Sequence, residues 1–571
     1  MLHRLTALLA FSALSCTNAA ARDKEVVHDA EYYVLEAQNG ERWAVEDGKL
    51  DQKLEELSEK NGAPPNIIHI MWDDTSFGDV GIPAISKIRG FESPNIDRMA
   101  REGVLFTRMY TEVGCTPSRS AVMTGRLAVR SATYDIGFPI HNEGLNRKEV
   151  TMAEVLSEAG YSTAFYGKWH LGDIEESYPH NQGFDETLFT PYNQVTSIQN
   201  ATGEGANAVL GLVEEMLPPD PYKLDDTMLP TGWVQAIEGE KGEPGREWKK
   251  PDLEGFLEID PECHRRTLAF IEKNAEAKKP FYVAYWPNMT DFIPNPKKVT
   301  QSRSLYADGF TQNVDAFIGK VMDRLRELGI AENTILVTMA DNGPMAHNPP
   351  PGLGMTETIF RGGKGDFLEG GVRVPAFAWW PGTIEGGQIV GDIIHESDLY
   401  TTFARLAGAK KQIPTDRIVD GIDQTALFIN GDTHGRRDSV FIYAGPRLGA
   451  IVKGNFKKHV ISSDPTAGSG IAASYYFLLH DTREKSPMLV NTLHLKGAFN
   501  RMQARHELWK EKYPDWPATR GPALTGIANA RPETKALSKP PVNMKDLPFD
   551  PLQYIKYDPP FDPNADPDLG D

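Results

Sequence analysis

Asn66-Ile67-Ile68-His69-Ile70-Met71-Trp72 is an apolar run of strand length that stops abruptly at Asp73-Asp74. Two further runs stop in the same way. Ser162-Thr163-Ala164-Phe165-Tyr166 leads into Gly167-Lys168-Trp169-His170, and Thr334-Ile335-Leu336-Val337-Thr338-Met339-Ala340 leads into Asp341-Asn342-Gly343. Each is an apolar run of strand length. Helical patterns lie between them, from Met152 to Ala159 and from Gly309 to Leu328. Strands alternating with helices specify an α/β fold with a parallel sheet. Open sheets of this kind bind ligands beyond the carboxyl ends of their strands, so the polar residues after the three runs are expected to converge on one rim.

Outward from these strands the texture changes. Residues 22–62 are polar and charged, and the helical spacing of Leu50, Leu54 and Leu57 predicts a short amphipathic lead-in that serves packing. The main α/β region is expected over 63–425. It is interrupted at about 198–258 by a Gly-, Pro- and acid-rich insertion that suits either a wall over the site or a surface excursion. Short strand-like runs, Ser439 to Tyr443, Gly449 to Val452 and Tyr475 to Leu479, precede a charged helical stretch from Leu495 to Lys512, which predicts a smaller α+β domain over 426–530. Residues 531–571 are rich in Pro and Asp and read as an extended tail.

With 571 residues the chain has material for one large domain with additions, or two domains, and a deep cleft. A net charge of −19 lacks the basic footprint of a nucleic-acid binder. Any positive charge needed for an anion must therefore be local. Residues 1–21 carry Arg4, an apolar run from Leu5 to Leu14 and the small residues Ala19, Ala20 and Ala21, the layout of a cleaved signal peptide. The run is too short to span a membrane, so an exported protein, periplasmic or secreted, is expected, with a lipoprotein anchor through Cys16 as the minor alternative. Beyond Cys16 only Cys115 and Cys263 remain, which cannot build a disulfide framework.

Gly114-Cys115-Thr116-Pro117-Ser118-Arg119-Ser120 places a cysteine ahead of a proline suited to a first helical turn. A helix N-terminus there would favour an anion through its free N–H groups and dipole. Asp73, Asp74, Asp341 and Asn342 offer oxygen atoms alone, which suits a hard cation such as Ca²⁺ or Mg²⁺ and disfavours zinc.

Cys115-Thr116-Pro117-Ser118-Arg119 resembles the Cys-x-Pro-x-Arg signature of the sulfatase family, in the alkaline phosphatase superfamily. Gly167-Lys168-Trp169-His170-Leu171-Gly172, Arg361-Gly362-Gly363-Lys364-Gly365-Asp366 and Glu369-Gly370-Gly371-Val372-Arg373-Val374-Pro375 extend the likeness, which runs from about Pro65 to about Gln424. The resemblance implies an alkaline phosphatase-like fold with a large mixed, mainly parallel sheet sandwiched by helices. It implies hydrolysis of a sulfate monoester, from a small molecule or a carbohydrate, after a formylglycine-generating enzyme has oxidised Cys115 to formylglycine. One hydroxyl of the hydrated aldehyde would attack sulfur, and His170 would take a proton from the other to expel sulfate. Asp73, Asp74, Asp341, Asn342 and the modified Cys115 would hold the metal. Lys168 and Lys364 would bind sulfate oxygens, and Arg119 would orient the hydrated aldehyde.

Asn342 follows Asp341 where phosphatases of the superfamily commonly place a histidine, which favours a one-metal sulfatase over a phosphate or phosphonate hydrolase. Two departures stand out. No histidine follows Phe281-Tyr282-Val283-Ala284-Tyr285-Trp286, where relatives usually keep the acid for the leaving alcohol; Lys364, His264 or His347 are the substitutes to consider. Asn193 stands where relatives often have a serine near the sulfate. The gap also admits a protein that binds sulfate esters with weak turnover.

Overall fold

The computed structural model describes residues 25–137, 143–192, 198–200, 228–230, 235–249, 253–292, 295–298, 300, 305–344, 359–461, 474–488, 492–513, 515–516 and 518–520. The expected signal segment, the tail, Asn193, His347 and most of the 198–258 insertion lie outside them.

One eleven-stranded sheet dominates. From edge to edge its strands are Gln388–Val390, Val104–Tyr110, Arg373–Trp379, Thr334–Ala340, Asn66–Trp72, Phe281–Trp286, Ser162–Lys168, Glu186–Thr190, Ile237–Glu240 and Arg246–Glu247, with Ile394–His395 also pairing Val104–Tyr110. The three strands read from sequence are buried at every residue. Asn66–Trp72 lies parallel to both Thr334–Ala340 and Phe281–Trp286, and the latter lies parallel to Ser162–Lys168. Their carboxyl ends therefore share one rim.

Arg373–Trp379 runs against its neighbours Thr334–Ala340 and Val104–Tyr110. Its amino end, and the Lys364 segment before it, thus reach the same rim from the opposite chain direction. Pro375 falls at the register shift between Val374 and Ala376, the place in a central strand where a missing N–H costs least. The sheet is mixed and mainly parallel, as the sequence led us to expect.

Helices cover both faces, as the alternation of side chains along Phe281–Trp286 shows. Tyr282 meets Phe403 of helix Asp398–Leu406, whereas Phe281 and Tyr285 meet Phe270 of helix Leu253–Ala277 and Phe317 of helix Ala316–Glu327. Within the span read as an insertion, Ile237–Glu240 and Arg246–Glu247 extend the sheet by antiparallel pairing.

The lead-in is far longer than its three leucines suggested: helix Ala30–Asn61 has 32 residues. Asp29 caps its start and Gly62 ends it in the left-handed conformation, φ 74°. Ion pairs supplement its sparse apolar stripe, Arg436 to Asp47 (2.7 Å) and Arg405 to Asp51 (2.6 Å) among them. At its start His506 bonds Asp29 (2.7 Å), Arg505 bonds Glu31 (2.6 Å) and Trp509 donates to the His28 carbonyl (2.9 Å), fastening it to helix Thr492–Lys510.

Strands Ser439–Ala444, Arg447–Lys453, Phe456–His459 and Ser474–Phe477 form a separate antiparallel sheet. Val440, Ile442, Ala450 and Val452 pack from it onto Tyr110, Val113, Phe367 and Val372 of the main sheet's rim. No helix of the described residues is long and apolar enough to cross a membrane.

Candidate active site

Helix Cys115–Thr124 begins at Cys115 itself, after an extended Gly114, and every one of its residues is buried. Gly125 stops it at φ 67°, where a Cβ would strike the Tyr400 ring at 2.5 Å. Cys115 is 0% exposed, and burial, with the Asp341 charge adding to it, pushes its thiol up to about 12. Both Cys115 and Cys263 are free thiols.

Arg119 lies one turn along and faces the same way as Cys115. Its Nη2 donates to Asp73 Oδ1 (2.6 Å) and Asp341 Oδ2 (2.9 Å), while Nη1 donates to the Lys168 carbonyl (2.8 Å). The guanidinium stands 5.1 Å from the Trp286 ring centre, a cation–π contact from a fourth strand end. Lys168 Nζ donates to Asp73 Oδ2 (2.7 Å). Lys364 Nζ reaches Asp74 Oδ1 and Oδ2 (2.8 and 3.0 Å) and Cys115 Sγ (2.9 Å). Asn342 Nδ2 donates to Asp74 Oδ1 (2.6 Å), and the Asp74 N–H donates to Asp341 Oδ1 (3.2 Å). Five strand-end or pre-strand segments thus meet at one point.

The electrostatics follow from this crowding. Burial pushes the Asp73 carboxyl up, but Lys168 and Arg119 outweigh it and hold the group well below the usual carboxylate range. Burial, then the charge of Asp73, raises Asp341 instead. Burial opposes the Lys364 charge, yet Asp74 outweighs it and keeps the ammonium well above its ordinary value.

Oxygen atoms of Asp73 and Asp341 and the sulfur of Cys115 all lie within 4.8 Å of one another. Asn342 Oδ1 is buried with no hydrogen-bond partner. A hard divalent cation fits the oxygen atoms of this set, though not the sulfur: it would satisfy the orphaned amide oxygen and relieve the mutual repulsion of the carboxylates. Asp74, engaged by Lys364 and Asn342, offers a further oxygen.

His170 adopts a left-handed backbone, φ 60°, uncommon for a residue with a side chain. Its Nε2 lies 3.0 Å from the Gly137 carbonyl, whereas buried Nδ1 has no partner. A carbonyl only accepts, so Nε2 carries the hydrogen and Nδ1 the free lone pair. Burial, then the charges of Lys168 and Arg119, pulls the imidazole well below its ordinary value. Gly167 next to this turn has φ 105°, and a Cβ there would lie 1.8 Å from the Trp286 carbonyl oxygen. No other residue allows these two strand ends to close.

The structure thus gathers Asp73, Asp74, Cys115, Arg119, Lys168, Asp341, Asn342 and Lys364 in one network, with His170 on the loop leaving the Lys168 strand. His264 is not part of it. It bonds Tyr285 Oη and Asp291 Oδ2 (both 2.9 Å) and stacks on Phe317, on the sheet face opposite Tyr282. Sequence reading missed Tyr306, whose hydroxyl donates to the Asp73 carbonyl (3.0 Å), as well as Trp286 and the Gly137 carbonyl. Trp286 had a signal, being the last residue of a fourth buried apolar run; the other two had none.

A sulfatase family model matches residues 65–409. N-acetylgalactosamine-6-sulfatase of Canis lupus familiaris is 32% identical over 69% of this chain and 72% of its own. Human arylsulfatase A is 33% identical over 73% and 80%, respectively. The crystal structure of the sulfatase PsFucS1 from Pseudoalteromonas sp. superposes with a TM-score of 0.70 at 30% identity, covering 83% of this chain and 96% of that one. The cationic pocket at the sheet rim and the alkaline phosphatase-like fold around it accordingly have one source: the chain belongs to the sulfatase family and is a sulfuric ester hydrolase.

Proposed function

We propose that the enzyme cleaves sulfate monoesters with a formylglycine made from Cys115 and a hard divalent cation, Ca²⁺ or Mg²⁺, held by Asp73, Asp74, Asp341, Asn342 and the modified residue 115. The observation that carries this reading is Arg119, whose buried guanidinium spans Asp73 and Asp341 from one helical turn beyond Cys115. A thiol raised to about 12 is scarcely ionised at neutral pH, so Cys115 as cysteine is a poor nucleophile. Formylglycine would supply a hydrated aldehyde as nucleophile, and the cation would supply Lewis acidity and bind sulfate.

The chain's own residues have separable tasks. Arg119 orients the side chain at position 115 and fixes the two carboxylates in register. Lys168 and Lys364 bring two positive charges to the sulfate oxygens, where charge redistributes as the ester bond breaks. His170, neutral and with Nδ1 free, accepts a proton. Asn193 is assigned a subsidiary contact with sulfate. Lys364, held firmly charged by Asp74, suits charge stabilisation better than proton donation, so good aryl leaving groups should outpace alkyl ones. A sulfated carbohydrate or small aromatic ester is the substrate class, in keeping with the names of the two relatives. A formylglycine-generating enzyme is the partner in maturation, and residues 1–21 would direct export.

Peptide mass spectrometry across Cys115, paired with turnover of aryl sulfate and aryl phosphate, tests the reading. Formylglycine at position 115 and preference for the sulfate are expected. Unmodified cysteine in an active preparation, or preference for the phosphate, would overturn it.

A further inference from the structure

Lys364 sits on a loop closed at its base by the Gly370 N–H donating to the Arg361 carbonyl (2.8 Å). Its own N–H donates to the Pro344 carbonyl (2.7 Å), and the next N–H, of Gly365, donates to the Val113 carbonyl (2.6 Å), two residues before Cys115. Both feet of this loop are held by one residue of the C-terminal region. Arg361 Nη1 donates to the Glu484 carbonyl (2.8 Å), and the Glu369 N–H donates to Glu484 Oε2 (2.7 Å). Glu484 has φ 52°, a left-handed conformation that an L side chain seldom adopts, so its carbonyl and carboxylate are aimed at some conformational cost.

The grip is itself braced. Glu484 Oε1 pairs with Lys457 Nζ (3.0 Å) and His459 Nε2 (2.7 Å), both on strand Phe456–His459. Lys457 Nζ also pairs with Glu369 Oε1 (3.0 Å), and Glu369 Oε2 accepts from Tyr110 Oη (2.9 Å) at the end of the strand that leads to Cys115. Lys457, Glu369 and Glu484 are 0% exposed. An ion cluster this deep costs desolvation that apolar residues of the same volume would avoid, which makes its retention informative about geometry rather than stability.

We propose that Glu484 is a positioning residue for Lys364, so that the small antiparallel sheet sets the place of a cationic group in the active site. This rests on the reading of Lys364 as a sulfate-binding lysine. A displacement of about an ångström is enough to cost roughly a hundredfold in rate.

The experiment measures kcat and KM on nitrophenyl sulfate, with thermal unfolding midpoints, for Glu484→Gln and Arg361→Gln, each alone and combined with Lys364→Ala. Arg361→Gln removes one foot of the loop and leaves the Lys457–Glu369 and Lys457–Glu484 ion pairs in place, so it carries the test if Glu484→Gln does not fold. Each single variant is expected to lose at least about tenfold in kcat/KM, Arg361→Gln with an intact unfolding midpoint. Neither is expected to lose more once Lys364 is alanine. Parental activity in both variants beside a crippled Lys364→Ala overturns the positioning role alone. A full additional loss in the Lys364→Ala background does the same. Parental activity in Lys364→Ala overturns both this inference and the reading beneath it.

Discussion

Two buried ion clusters flank the Lys364 loop, and they are satisfied to different degrees. At the junction with the small sheet, Lys457 meets Glu369 and Glu484, Glu369 also meets Tyr110, and Glu484 also meets His459 and the Glu369 N–H. At the rim, Asp73, Asp341, Arg119 and Lys168 are as deeply buried, yet Asn342 Oδ1, His170 Nδ1 and Arg119 Nε have no partner. Buried polar atoms are almost always paired, so a cluster with several orphans is one built to receive something. The fully paired cluster suits holding shape; the underpaired one is where the proposed chemistry would be done.

The sharpest way to break this contrast is to remove Cys115. Cys115→Ala should lower kcat on an aryl sulfate by at least roughly 10³-fold while leaving the urea midpoint unchanged. Activity within tenfold of the parent would place the nucleophile elsewhere. The junction should answer in the opposite sense. Lys457→Met removes the cation that Glu369 and Glu484 share and leaves them to Arg373 and His459, respectively, and unfolding in urea should show a loss of about 3–5 kcal/mol. A loss under about 1 kcal/mol would mean that water or a neighbour neutralises the pair.

Added cation should distinguish the clusters next. Ca²⁺ at about a hundred times its Kd should stabilise chelator-treated protein by about 2.7 kcal/mol in calorimetry. Asp341→Asn should abolish that response and Lys457→Met should keep it; the reverse pattern would exchange the roles of the two regions.

The smallest effect concerns Glu112, buried behind the Cys115 helix with Oε1 accepting from the Ala128 N–H (3.0 Å). Burial raises its carboxyl to about 8 from an ordinary 4.5. The fold therefore favours the protonated form, and this contribution, full below pH 4.5, is lost as pH rises toward 8. Urea midpoints at pH 6 and pH 8 should differ less in Glu112→Gln than in the parent. An unchanged difference would show that Glu112 is ionised at both.

How much of this was legible in the sequence depended on the range of the contact. Asp73, Lys168 and Asp341 could be read because an apolar run points to its own end, and the parallel sheet brings such ends together. Cys115 could be read at a helix start because Pro117 suits a first turn, whereas Arg119 came through the Cys-x-Pro-x-Arg resemblance. Lys364 came only through the family resemblance, since it precedes a reversed strand that periodicity cannot orient. Tyr306 and Glu484 left no local mark: each reaches the site or the Lys364 loop through long-range hydrogen bonds from a segment without a motif. The helix Ala30–Asn61 was read too short because ion pairs to Arg405 and Arg436 replace much of the apolar stripe by which helices are recognised.

The fastening of helix Ala30–Asn61 to helix Thr492–Lys510 has a consequence for timing. Asp29 and His506 are 477 positions apart, so the first helix waits for its clasp until almost all of the described chain has been synthesised. Cys115 is sealed in the finished fold. On the formylglycine proposal, the enzyme that oxidises it would have to reach the nascent or still-extended polypeptide, before residue 115 is enclosed.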